Sequence, residues 1–105
     1  MPFCVYVIRL RVAVLNVRRF ARENPGHIAY KPCVYVGSTG LTPEQRLVRH
    51  LTAKTGSRFV KLYCIGLHKR LTERQPIFMT RAEAEAHEKA LSERLRRKGY
   101  AVWSR

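Results

Sequence analysis

Two tyrosines on apolar stretches, Tyr6 in Val5-Tyr6-Val7 and Tyr35 in Tyr35-Val36-Gly37, precede Arg46 and His50, which stand four residues apart, and Glu88 lies far downstream. Two phenols, a guanidinium, an imidazole and a carboxylate are groups that phosphodiester hydrolysis can use. Hydrolysis of a phosphodiester needs an activated water, a cation to offset charge growing on the non-bridging oxygens, and help for the departing oxygen. These side chains serve that chemistry only if the chain folds them toward one point.

The elements that would position them can be read from pattern. Phe3 to Leu15 is rich in Val and Ile, with Arg9 and Arg11 at alternate positions late in the run, and predicts a long strand with Tyr6 in its buried half. Asn16 to Lys31 contains the breaker Asn24-Pro25-Gly26 and reads as a connection with room for a short helix. Pro32 opens a second strand, Cys33 to Gly37, antiparallel to the first, with Cys33 and Tyr35 on one face and Val34 and Val36 on the other. Thr42, Pro43 and Gln45 mark a helix start, with cap, first-turn proline and a glutamine reaching back. That helix is expected to run to about Lys54, stacking Arg46 over His50 beside Leu47 and Leu51. Between Thr55 and Pro76 the pattern is weaker: Arg58 to Tyr63 suits a helix and Cys64 to Leu67 a strand, and Lys54, Arg58, Lys61, Lys69, Arg70 and Arg74 keep the stretch basic.

The last helix is the best marked. Thr80 caps it, Glu83 completes a capping box, and Gly99 stops it after Lys98, before a short closing strand, Tyr100 to Trp103. Its final turn holds Arg94, Arg96, Arg97 and Lys98, which suits the helix dipole as well as phosphate binding. At 100° per residue Ala84, Leu91 and Leu95 form the inward stripe and Glu88 falls on it, whereas Glu83, Glu85 and Glu93 do not. A carboxylate on a buried face needs a partner. Two partners are open from periodicity alone: an arginine in a structural ion pair, or a metal ion.

The chain of 105 residues is long enough for one core, and 1–105 is expected to be a single domain. Its 21 Lys and Arg against 7 acidic residues give a formal charge of +14, which calls for a polyanionic partner, nucleic acid before any other. All seven acidic residues are glutamate, so any carboxylate-held metal must use Glu. Cys4, Cys33 and Cys64 are odd in number and sit in apolar context, as reduced core residues of a cytoplasmic protein do, and no zinc-site spacing is present. Arg9 and Arg11 interrupt the N-terminal apolar run, which argues against a membrane span there, and no small-residue cleavage site closes it like a signal peptide.

The order of these motifs resembles the GIY-YIG nucleases over essentially the whole chain. Cys4-Val5-Tyr6 matches the first half-motif, with cysteine for its usual glycine, and Tyr35-Val36-Gly37 matches the second. Arg46, His50 and Glu88 match the helix arginine, the residue that follows it and the metal-binding glutamate. The resemblance implies an α/β (α+β) domain: a central three-stranded antiparallel sheet flanked by helices, with 16–31 as an insertion between the motif strands. It implies a metal-dependent endonuclease that hydrolyses DNA, directed by structure or backbone rather than sequence. Glu88 would hold one Mg2+ or Mn2+ ion, Arg46 would clamp the phosphate, Tyr6 would activate water with His50 taking its proton, and Tyr35 would orient the phosphate or the water. Gly37 would allow close backbone approach. Three departures accompany the cysteine-bearing half-motif: a long spacing from Tyr6 to Tyr35, Ala101 where many members place an asparagine, and Ser38 where some carry a lysine.

Arg58, Lys61, Lys69 and Arg70 are the further candidates for nucleic-acid contact. Specificity would then come from nucleic-acid shape, a targeting partner or a homodimer. Plain alternatives stand beside these roles. Tyr6 and Tyr35 fit cross-strand aromatics, His50 fits a helix surface, Phe59 and Trp103 fit the core, and the basic surroundings of Phe59 also suit base stacking. His27, His68 and His87 show no metal spacing. The competing functional class is a non-catalytic nucleic-acid-binding module on the same fold. A small basic ribosome-associated protein accounts for the charge but not for an inward Glu88.

Overall fold

The computed structural model describes residues 2–53 and 56–104. Strand β1 (Phe3–Leu10) is followed by a 3-10 turn (Val12–Asn16) and helix α1 (Arg18–Arg22), then by β2 (Cys33–Thr39), α2 (Pro43–Thr52) and α3 (Arg58–Tyr63). The remaining elements are β3 (Cys64–Leu67), α4 (Lys69–Glu73), β4 (Ile77–Phe78), α5 (Arg81–Arg97) and β5 (Ala101–Ser104). β1 and β2 pair antiparallel with Tyr6 opposite Gly37 and Ile8 opposite Tyr35. β3 and β4 share the other edge of β1, also antiparallel, and between them Thr72 bonds through its hydroxyl to both backbone groups of Val7.

The expected three-stranded antiparallel sheet is thus a mixed sheet of five strands, ordered β3-β1-β2-β5 with β4 beside β1. β5 runs parallel to β2, because the 17-residue α5 carries the chain back across one face before β5 forms. Strand direction is a property of the crossover, and no local pattern encodes it. The first strand is also shorter than expected. After Leu10 the Arg11 N–H leaves for the Tyr63 carbonyl, and the 3-10 turn tucks Val14 into the core. In α2 the capping box forms as read, and the helix closes with Ala53 as its C-cap; the expected end at Lys54 lies outside the described residues. At α5 Thr80 caps the Glu83 N–H, but its hydroxyl donates to Glu83 Oε1, so the glutamate reaches the cap side chain and not its backbone.

Alternation along the strands splits the core in two. Tyr6, Ile8, Leu10, Cys33 and Tyr35 join Val14, Phe20, Phe59 and Val60 on the face covered by α1, α2 and α3. Val5, Val7, Val34, Val36 and Val102 lie on the other, under Ala84, Leu91 and Leu95 of α5. The segment 16–31 is integral to this packing. Phe20 is fully buried, and the buried Asn24 amide donates to the Phe20 and Val102 carbonyls while its oxygen accepts from Val102 N–H and Arg96 Nε. Ile28 packs on Gly99, whose φ of +97° ends α5 in the left-handed region. The three cysteines are free thiols, and burial pushes each pKa up. Among the described residues no helix is long and apolar enough to cross a membrane.

Candidate active site

Tyr6 and Tyr35 point from neighbouring strands into the same face, their ring centroids 6.3 Å apart, and the His50 ring lies 5.9 Å from one and 5.1 Å from the other. Gly37 makes this possible. A Cβ there would lie 2.3 Å from Tyr6 Oη and 2.5 Å from Tyr6 Cζ, so the Tyr6 phenol occupies the space that any other side chain on β2 would fill. The close approach at Gly37 is therefore made by the Tyr6 ring. This extends the sequence reading, which gave that space to backbone approach.

His50 is fixed from both sides. Its Nε2 is 2.7 Å from Tyr6 Oη, and its Nδ1 accepts the Ser57 N–H at 2.9 Å. Gly56 brings that amide into place, since a Cβ at 56 would fall 2.6 Å from the His50 backbone. With Nδ1 occupied as an acceptor, the proton of the neutral ring is on Nε2, and His50 donates to Tyr6. The sequence reading had His50 take the Tyr6 proton; the hydrogen bonds run the other way. Burial pushes the Tyr6 pKa well above its ordinary value, with the neighbouring Tyr35 and the Glu88 charge adding to the rise. The Arg46 guanidinium opposes it through its charge. Tyr6 thus rests neutral, with the His50 Nε2–H donating to its oxygen and the Arg46 charge favouring its ionised form.

An open cavity of about 420 Å³ lies over this cluster, lined by Tyr35, Arg46 and His50 together with Arg19, Ser57, Arg58, Phe59 and Trp103. Tyr6, 1% exposed, lies beneath its wall. Arg46 also lines a second cavity of about 420 Å³ with Ser38, Arg49 and Arg81. Arginines therefore flank Arg46 on both sides, an arrangement suited to successive phosphates of one strand.

Glu88 is 6% exposed, on the inward face its periodicity predicts, but it opens to a different cavity, shared with Glu23, Glu85, Ser92, Glu93 and Ser104 and with the cations Lys89 and Arg96. The reason is the sheet: α5 covers the face opposite Tyr6 and Tyr35. The Glu88 charge is still felt at the Tyr6 phenol. Among the described residues no three His, Cys or acidic groups cluster as a protein-only metal cage. One carboxylate beside open volume does fit a hard cation that keeps most of its water.

Of the other candidates Arg58 lines the Tyr35 cavity, whereas Lys61, Lys69 and Arg70 do not. The remaining histidines have structural tasks. His68 Nδ1 caps α4 by accepting Leu71 N–H, His87 Nε2 bonds Gln75 Oε1, and His27 Nε2 donates to the Lys31 carbonyl. Burial lowers the pKa of His68 and of His87.

Comparison with protein-family models, with curated proteins and with solved structures returns no match. The site therefore rests on its own geometry. Arg19, Arg49, Ser57 and Arg81 escaped the sequence reading. Arg19 lies in α1, one 3-10 turn after the first strand, and only its position one residue before the buried Phe20 hints at a place near the core.

Proposed function

We propose that this protein is a metal-dependent endonuclease acting on DNA phosphodiester bonds, directed by backbone and shape. The observation that carries this reading is the Tyr6–His50–Arg46 arrangement: a phenol oxygen bonded to the His50 ring and within the influence of the Arg46 charge, under an open cavity with arginines on either side. Arg46 clamps a non-bridging oxygen of the scissile phosphate, and the Tyr35 hydroxyl orients the phosphate or the attacking water. The Tyr6 oxygen is the atom built to carry negative charge, because the His50 Nε2–H bond and the Arg46 charge offset it as the groups around an oxyanion do. Burial keeps it protonated at rest. Glu88 would hold a Mg2+ or Mn2+ ion, which would supply charge neutralisation beside the site.

Cleavage of branched, nicked, single-stranded and duplex DNA by wild type and Glu88→Gln, with magnesium, manganese or chelator, tests the reading. Metal-dependent scission lost in the variant, with binding retained, is the expected result; binding without scission on every substrate would sink it.

The second reading is a non-catalytic nucleic-acid-binding module. It is favoured by one feature, the separation of Glu88 and the Tyr35–Arg46–His50 group into different cavities. In that case Tyr6 serves to hold Arg46 and His50 in place. The same experiment separates the two.

A further inference from the structure

The cavity over the Tyr6–His50 pair has a wall that phosphate binding does not require. Phe59 and Trp103 meet edge to face, with centroids 4.8 Å apart, and Phe20 braces both at 5.4 and 6.2 Å. The Arg19 guanidinium lies 5.0 Å from the Phe59 centroid and 5.5 Å from that of Trp103. A rigid aromatic corner with a flat cation over it thus stands beside Arg46 and Arg58 in one open space of about 420 Å³.

That volume admits one nucleotide and excludes a duplex. Each base of a paired strand is stacked on its neighbours and turned away from the protein, so only an unpaired nucleotide can present its face to Trp103 or Arg19. A strand whose phosphates follow the arginines beside Arg46 has a base to place at this point. Apart from Arg19, Arg46 and Arg58 and the His50 ring, whose two nitrogens bond Tyr6 and Ser57, the polar groups on the wall are the Tyr35 and Ser57 hydroxyls, which offer little to distinguish one base from another.

We propose that this cavity seats one unstacked base next to the scissile phosphate, held against Trp103 and Phe59 and under or upon Arg19. The substrate class is accordingly nucleic acid with an unpaired nucleotide at the site: a single strand, a flap or a bulge. The proposal rests on the nuclease reading for what happens to the phosphate, but not for the binding of the base.

Trp103 is the sole tryptophan, so its emission reports the pocket directly. The full-length protein is titrated with a labelled oligothymidylate, an abasic oligomer of equal length and a perfectly paired hairpin, with Trp103 emission and label anisotropy read together. The oligothymidylate is expected to quench Trp103 and to bind about 5- to 150-fold more tightly than the abasic oligomer, the range expected for stacking of one base. The hairpin is expected to bind without quenching. Arg19→Ala, an exposed substitution that spares the core, narrows the gap between the two oligomers. Equal affinity for the two oligomers, or oligothymidylate binding that leaves Trp103 emission unchanged, overturns the proposal, as does failure to bind either oligomer. Scission is followed separately in the same samples. Base-dependent quenching without scission leaves the pocket standing and removes the nuclease reading; scission without quenching does the reverse.

Discussion

Replacing Gly37 by alanine asks whether the site depends on the space that Tyr6 occupies. The new Cβ would lie 2.3 Å from Oη and 2.5 Å from Cζ of Tyr6, and 3.1 Å from Tyr35 Cε1, where ordinary contact begins at 3.4 Å. The phenol must retreat by about 1 Å, because β2 is hydrogen-bonded on both edges and packed on both faces and has nowhere to go. Overpacking of this kind costs about 1–3 kcal/mol, and loss of the 2.7 Å bond to His50 adds about 1 kcal/mol. The total of about 2–4 kcal/mol corresponds to a fall in Tm of roughly 10–20 °C for a domain of this size. Cleavage is expected to fall by about 10²–10⁴, the usual worth of a positioned proton-transfer group. Melting followed by circular dichroism and cleavage of a nicked duplex below the Tm read the two effects separately. Adding Tyr6→Phe removes the nearest clashing atom and should recover part of the stability, though not the activity. Gly26→Ala is the control, with nothing within 4 Å of its Cβ, and should melt as wild type does. A Gly37→Ala protein that melts and cuts like wild type refutes the account of why glycine stands there.

Four further outcomes are expected. Long-range ¹H–¹⁵N spectra should show the His50 proton on Nε2 throughout neutral pH; a proton on Nδ1 would break the proposed donor direction. Because the folded pKa of Tyr6 is raised above its unfolded value, its contribution is complete below about pH 10 and is lost as the pH rises beyond that, so alkaline chemical denaturation should show wild type losing stability faster than Tyr6→Phe. Asn24→Ala orphans the buried Val102 N–H and frees the Phe20 carbonyl, and should cost about 2–4 kcal/mol in urea denaturation with the m-value unchanged. Affinity for DNA should fall steeply as salt is raised, given a formal charge of +14, and a flat response would remove phosphate contact as the basis of binding.

Much of the positioning was legible because it is written in local periods. The period of two put Tyr35 on one face of its strand and Val34 and Val36 on the other, and the period of 3.6 turned Glu88 inward. Thr42 with Gln45 and Thr80 with Glu83 fixed the starts of α2 and α5. What escaped were relations between distant elements. Glu88 faces inward, but which cavity it meets depends on the face of the sheet that α5 covers, and nothing within the helix specifies that. The His50 proton depends on an amide seven residues away, brought close by Gly56. The parallel β5 depends on a crossover, and the place of Arg19 depends on how Phe20 enters the core.

The Asn24 amide has a consequence beyond the bonds it makes. β5 is the last strand on its side of the sheet, and a last strand offers its free backbone groups to any extended chain that passes. At Val102 both groups are already taken, the N–H and the carbonyl by one side chain, with Arg96 as a second donor to the carbonyl. Segment 16–31 thereby works as a stopper on an otherwise adhesive edge. A variant shortened there would lose Phe20 from its core and also gain a sticky border, and its first failure would be association with copies of itself.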